Sequence, residues 1–369
     1  MAINTLLSGL RVLDLSQLVP GPFCTQYLAQ MGAEVIKVED PSGDPMRFMS
    51  PEVFAQINRG KKSITLNLRD AADQRRFRAL AAGADVVVES FKPGVMEKYG
   101  CAYSDLKQHN QRLVYAALTG YGQTGPYRDR PGHDLNFRAY AGELDQTGAA
   151  LGPPVPGNFQ TAGLAGGSLH AVIGILAAVF GARATGEGTY VDVAMLDGTA
   201  ALQVFPLAAV RADGKARPRG SDMGSGLLPN YAVYECADGR HLAVAALEPK
   251  FYAQLCQLTG RADLAAVTPQ PGRKGEQLRE ELRQLFLTRS RDDWQALLAD
   301  AGCCVSPVLR PEEMLQDPQI LARGLVETVG GKPAIGFPVH FSNGLRYGGE
   351  PPALGEHNAT LLAGLSSAA

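Results

Sequence analysis

Short runs rich in β-branched and apolar residues alternate with helical stretches through the first half of the chain, and few architectures accept that pattern. Gly9–Leu15 (GLRVLDL), Ala33–Glu39 (AEVIKVE), Ser63–Leu68, Asp85–Ser90 (DVVVES) and Arg112–Thr119 (RLVYAALT) read as strands, and Pro22–Met31 and Ala71–Ala82 as helices. Strands and helices in this order predict an α/β fold, a large domain built on an open parallel sheet. A further strand is expected at Thr189–Ala194 and a helix from Asp197.

The pattern then changes. Residues 201–225 become basic and glycine-rich (RADGKARPRGSDMGS in the later part) and read as a surface linker. From 226 a smaller α+β domain is expected to run to 323. It opens with a hairpin, Tyr231–Cys236 and His241–Ala246 joined by A-D-G-R, and continues with helices at Pro249–Gly260, Gly275–Leu287 and Arg291–Ala301. The segment 324–369 returns to β-like runs and a short helix, so it is expected to complete the large domain of residues 1–200. No repeat with a period of about 20 to 50 residues is visible, which argues against a solenoid.

Thr161–Ala182 (TAGLAGGSLHAVIGILAAVFGA) carries no charge and is long enough to cross a bilayer. It also contains glycines, a serine and His170, so a helix in the core of a soluble enzyme is the expected reading. Thirty-five basic residues against thirty-seven acidic ones leave no basic surface for nucleic acid, so an anionic partner must be bound locally. Cys24, Cys101, Cys236, Cys256, Cys303 and Cys304 form no C-x-x-C pair and read as reduced thiols of a cytoplasmic protein without a metal site. The amino terminus lacks the charged and apolar blocks of a signal peptide.

The familiar catalytic motifs are missing. There is no G-x-S-x-G, no G-x-x-x-x-G-K-[ST] and no H-E-x-x-H, and no G-x-G-x-x-G follows the first strand, where Pro20-Gly21-Pro22 stands instead. A Rossmann-like topology without a dinucleotide fingerprint follows, and a nicotinamide cofactor is not supported. Two residues carry possible chemistry. His133, in P-G-H-D-L-N-F, stands where a loop enters a helix, near the positive end of a helix dipole that favours the neutral, basic ring. Glu248 precedes Pro249 at another helix start, the kind of element end on which sites are built. The alternative for each is an ordinary helix-start residue. Basic side chains recur at strand ends, namely Lys37, Arg59 with Lys61 and Lys62, and Lys92 between Phe91 and Pro93. They are candidates for a phosphorylated ligand, solvated surface cations being the alternative.

Taken together, the blocks GLRVLDLSQ with PGPF, LAQMGAEVIKVEDP with GDP, NRGKKSITLNL, ADVVVESFKPG, TGYGQTGPY, GEGTYVDVAMLDG and DPQILARG resemble the class III CoA-transferase and α-methylacyl-CoA racemase (CaiB/BaiF) family over essentially the whole chain. The resemblance implies an interlocked homodimer with a large Rossmann-like domain and a small domain. It also implies an acyl-CoA thioester as substrate, with coenzyme A entering as part of that substrate and no permanently bound cofactor. The racemase branch is the nearer one: its G-H-D-[LI]-N-[FY] is Gly132–Phe137 here and its E-P-x-F-Y is Glu248–Tyr252. By that resemblance His133 is a base and Glu248 orients its ring and offsets its charge, in an isomerase that removes the weakly acidic α-hydrogen of a thioester. A racemase does this most simply with two bases, and backbone N–H groups at a helix start would hold the oxyanion.

One departure weighs on that assignment. Both branches carry an aspartate at the start of the long helix, the second base of the racemases and the nucleophile of the transferases. Aligning on Gly166-Gly167-Ser168 places Gly163 there, and no carboxylate lies between Asp145 and Glu187. Transfer of CoA through an acyl-enzyme is therefore disfavoured. Racemisation requires His133 to serve both faces, or water or a residue such as Asp145 to fill the gap. The alternatives are a CoA-transferase with another nucleophile and a catalytically weakened acyl-CoA-binding protein. Lys92 replaces the arginine common in racemases, keeping the charge but losing the bidentate fork. The resemblance makes Gln17, Lys37, Arg59, Lys62 and Lys92 the candidate CoA contacts, and Tyr231 and Phe251 the candidates beside the acyl chain.

Overall fold

A computed structural model describes residues 6–342 and 348–365 of the 369. The chain divides into two compact units. The first comprises Met1–Leu144, Pro156–Val204 and Pro318–Ala369, and the second Asp145–Val155 and Phe205–Asp317.

Six parallel strands form the first unit's sheet: β1 (Arg11–Asp14), β2 (Glu34–Glu39), β3 (Lys62–Thr65), β4 (Val86–Glu89), β5 (Val114–Thr119) and β6 (Tyr190–Ala194). Their order is β3-β2-β1-β4-β5-β6, the doubly wound arrangement. Successive side chains point to opposite faces. Val12, Val86 and Val88 enter one core with Leu28 and Ile175, whereas Leu13 and Val87 enter another with Phe77 and Tyr115. Because both faces are covered, the strands read as continuous apolar runs rather than alternating ones.

The unit's principal helices are α1 (Pro20–Gln30), α2 (Pro51–Asn58), α3 (Ala71–Ala82), α4 (Asp134–Tyr140), α5 (His170–Thr185) and α6 (Met195–Ala201). Asp70 starts α3 by accepting the N–H groups of Ala72 and Asp73, two donors with no partner inside the helix. The expected core helix is present but differs in two ways. Its first nine residues, Thr161–Leu169, are π-helical before α5 begins. Moreover, only one face is covered: Ala171, Val172, Ile175, Val179 and Ala182 are buried, while Ile173 and Phe180 are 64% and 79% exposed.

The π-helical segment and α6 approach at backbone distance. A Cβ at Gly198 would stand 1.9 Å from the carbonyl oxygen of Gly166. Gly198→Ala should therefore cost at least about 1–3 kcal/mol, because main chain rather than a flexible side chain must yield. A denaturation midpoint equal to that of the parent protein would contradict this close crossing.

The tail of the chain from Pro318 belongs to the same unit. It carries the hairpin Val326–Val329 and Lys332–Ile335, and the His357 N–H donates to the Ser63 carbonyl at 2.9 Å, beside β3.

Helix α7 (Val204–Asp213), in the second unit from Phe205 on, occupies most of the first half of the stretch expected as a linker. Its sequence, VFPLAAVRAD, holds enough apolar residues for a helix before the glycine-rich part begins. An antiparallel sheet of β7 (Tyr231–Glu235), β8 (His241–Ala245) and β9 (Val305–Pro307) packs with α8 (Pro249–Leu258), α9 (Arg273–Phe286) and α10 (Arg291–Leu298). Leu242, Val244, Leu255, Leu282, Phe286 and Trp294 make its core. The hairpin expected around A-D-G-R is there.

Candidate active site

The doubly wound order reverses between β1 and β4, and loops leaving the carboxyl ends of these strands diverge there, opening a crevice. A cavity of about 750 Å³ lies at this point, bounded by residues 17–20 after β1, 90–93 after β4 and 118–121 at the end of β5. Gln17 ties the first two loops together, its N–H donating to Ser90 Oγ at 3.1 Å. Leu18, also on the wall, has a φ of 63°, a left-handed backbone costly for a branched side chain. The Leu18 N–H is held by Asp44 Oδ1 at 3.1 Å, and Asp44 is paired with the buried Lys37 ammonium at 2.9 Å.

His133 enters the same cavity from the start of α4. Its backbone is extended, its N–H donates to Asn136 Oδ1 at 3.0 Å, and its carbonyl accepts the Asn136 N–H at 2.8 Å. These bonds use main-chain groups of His133, so the imidazole is spared for the cavity. The helix is anchored beneath by Phe137, whose ring occupies space that a Cβ at Gly120 would invade, 2.2 Å away. Tyr121 meets that ring edge-on, with centroids 5.0 Å apart.

The π-helical segment adjoins the start of α4 and brings Gly163 to the same cavity. A π-turn is a feature that recurs at functional sites. The glycine is not required by packing. A Cβ there would meet Pro20 Cγ at 3.5 Å, Gln160 Oε1 at 3.6 Å and Asp134 Oδ1 at 3.8 Å, all ordinary contacts. A Cβ is tolerated there, and the carboxylate expected from the resemblance is absent. Asp134 lies in its stead at this wall, its Oδ1 accepting the Gly163 N–H at 2.9 Å.

Of the other candidate residues, Gln17 and Lys92 line this cavity. Among the described residues the Lys92 ammonium has no ion-pair partner. Lys37 and Arg59 depart from the expectation of available strand-end cations. Both are fully buried: Lys37 donates to the Ser16 carbonyl and pairs with Asp44, and Arg59 pairs with Glu327 at 2.5 Å and donates to the Ile335 carbonyl. Such groups stabilise the fold and are not offered to a phosphate. Lys61 is buried as well, against Asp14. Lys62 stands at the amino end of β3, paired with Glu34 at 2.5 Å, which is the end of the sheet away from the cavity.

Glu248, Tyr231 and Phe251 are in the second unit. Glu248 caps α8, its carbonyl accepting the N–H groups of Phe251 and Tyr252, with its side chain exposed. Tyr231 opens β7, and Phe251 packs at the edge of that unit's core under the Lys250 ammonium. Asp145 is in this unit too, paired with Arg219 at 3.1 Å.

A second hollow of about 360 Å³ adjoins the first through Gln17 and Phe91, over the carboxyl ends of β2 and β3. A third, of about 270 Å³, lies behind Lys92 and Arg128. Its Glu89 was not singled out from the sequence. Burial pushes that carboxyl up to about 8, against a hydrogen bond from the Phe91 N–H that pulls it down and with Glu97 and Asp192 pushing it further up. An acid ending an otherwise apolar strand, VVVE, was the only signal for it.

With these features described, comparison with known proteins gives them a family. Residues 7–358 match the model of CoA-transferase family III. The chain is 37% identical to a succinyl-CoA:mesaconate CoA-transferase of Haloarcula hispanica, the match covering 96% of this chain and 95% of that one. It is 34% identical to the human α-methylacyl-CoA racemase over 86% of this chain and 81% of the relative. A solved CaiB/BaiF family protein from Brucella suis superimposes with a TM-score of 0.89 at 32% identity, covering 98% of this chain and 100% of that one. The chain belongs to CoA-transferase family III.

Proposed function

We propose that the protein moves a proton at the α-carbon of an acyl-CoA thioester, as a racemase or epimerase, with His133 as base. The observation that carries this reading is the asymmetry of the cavity. His133 is present on its wall, whereas the position where family members place a carboxylate is Gly163, where a Cβ would make only ordinary contacts. Proton transfer retains a base under these conditions, while acyl transfer through an anhydride loses its nucleophile.

In this reaction the imidazole takes the α-hydrogen as a proton and the electron pair moves onto the thioester carbonyl. N–H donors on the cavity wall hold the resulting enolate oxygen. Gln17 and Lys92 bind the CoA portion, which continues into the adjoining hollow. Tyr231 and Phe251 contact the acyl chain and Glu248 orients the imidazole, both in a homodimer. The apolar residues Ile173 and Phe180, exposed in a single chain, suit a partner surface. The reading takes the protein to be cytoplasmic.

The test is incubation with (R)- and (S)-2-methylacyl-CoA in deuterium oxide. Deuterium uptake at the α-carbon with interconversion of the isomers is the expected result. Absence of uptake from both isomers would remove the reading. A second reading, CoA transfer between carboxylic acids, is favoured by relatives bearing that name. Exchange of CoA between a thioester and a free acid, with no α-deuterium, would select it. Binding of acyl-CoA with neither reaction would select a catalytically weakened protein.

A further inference from the structure

Resting on the α-carbon reading of this site, we propose that Asp134 supplies the second acid–base group of the reaction, in the place that Gly163 leaves without a carboxylate. Asp134 lines the cavity, and its side chain is only 18% exposed. Its Oδ1 accepts the Gly163 N–H at 2.9 Å and stands 3.8 Å from where a Cβ at Gly163 would be. The carboxylate thus reaches, from the first residue of α4, to within contact distance of where a side chain on Gly163 would begin.

Its other charged neighbour is Arg138, 3.7 Å away, and that guanidinium is engaged more closely by Glu143 at 2.5 Å. Asp134 is therefore held by one main-chain donor and one loosely paired cation, with acceptor capacity left for a proton. Within the described residues, no other carboxylate contacts Gly163.

The chemistry balances with these two groups. For one isomer His133 removes the α-hydrogen: the Cα–H bond breaks, an N–H bond forms, and the pair moves onto the carbonyl oxygen as an enolate. Protonated Asp134 then delivers its proton to the other face of the α-carbon, the enolate pair forming the new C–H bond. For the other isomer the carboxylate abstracts and the imidazolium returns. Exchange with solvent in the cavity resets both groups.

The test is Asp134→Asn, whose amide oxygen can still accept the Gly163 N–H, assayed by α-deuterium uptake from each isomer separately. Uptake from the isomer whose hydrogen faces Asp134 should fall about 100-fold or more, while the other isomer continues to exchange with retention of configuration. Asp134→Glu should recover part of the lost exchange. Equal losses for the two isomers, as a merely structural role would give, or no loss for either, would overturn the assignment while leaving the α-carbon reading standing. Should the parent protein exchange neither isomer, both fall together.

Discussion

His133→Ala should lower interconversion of the two 2-methylacyl-CoA isomers by about 10²- to 10⁴-fold, the range over which a positioned acid–base group acts. Interconversion needs the ring in each direction, as base for one isomer and as acid for the other, so both directions lose it. Exchange without inversion is more selective: it disappears for the isomer whose hydrogen faces the imidazole, the opposite one to that affected in Asp134→Asn. The substitution should leave the fold intact. The hydrogen bonds that start α4 use the His133 N–H and carbonyl, which alanine retains, and Phe137 anchors the helix independently. Affinity for CoA itself should be nearly unchanged, because the ring is not among the groups proposed to bind it. Loss of CoA binding with exchange intact would place His133 in the binding surface instead, and a variant exchanging within about threefold of the parent would exclude it as base.

How far the sequence could reveal this site depends on what kind of information each part needs. The parallel sheet was legible because strands covered on both faces leave unbroken apolar runs, and the second unit's hairpin was legible from A-D-G-R. His133 was legible as a helix-start residue, and the structure brings it to one cavity with Gly163, Gln17 and Lys92. The fate of the lysines and arginines was not. A strand-end position says nothing about whether an acid waits nearby, and Lys37 and Arg59 found the buried Asp44 and the half-buried Glu327, respectively 7 and 268 residues away. Asp134 was overlooked beside its histidine because its significance comes from a contact 29 residues along the chain. The π-helical segment was equally hidden, since its wide turn reflects packing against α6 more than any local propensity.

The buried charges offer the second large effect. Asp14→Ala should destabilise the protein by about 3–5 kcal/mol, the usual cost of leaving one member of a buried pair uncompensated. Asp14 and Lys61 are fully buried 3.1 Å apart, and the ammonium also donates to the Pro22 carbonyl, Thr25 Oγ1 and Asn58 Oδ1. Burial alone would raise the Asp14 carboxyl, but Lys61, then Lys37, then hydrogen bonds from Ser16 and Thr25 hold it below its ordinary range. Burial pushes Lys61 down to about 8, Asp14 pulling it up and Lys37 pushing it down.

The signs follow from which state binds more protons. Asp14 contributes stability above its unfolded value, and that contribution is lost as pH falls through the depressed folded value. Lys61 behaves in the opposite region. Between about 8 and its ordinary 10.5 the unfolded chain holds a proton that the folded one lacks, so stability gained from this group rises with pH. In Asp14→Ala the ammonium loses its counter-charge and deprotonates more readily, so the deficit should be largest near neutral pH and shrink in alkali. Urea titrations at pH 7 and 9.5 check this, and a deficit that grows with pH would contradict it. Adding Lys61→Met should recover much of the stability, since two apolar groups cost less than one stranded charge. Activity should not recover to the same extent. Asp14 also accepts the Ser16 N–H at 3.0 Å and the Ser16 hydroxyl, fastening the turn that carries Gln17 and Leu18 into the cavity wall. A stable double variant with impaired exchange would show that the pair serves the site by fixing this turn.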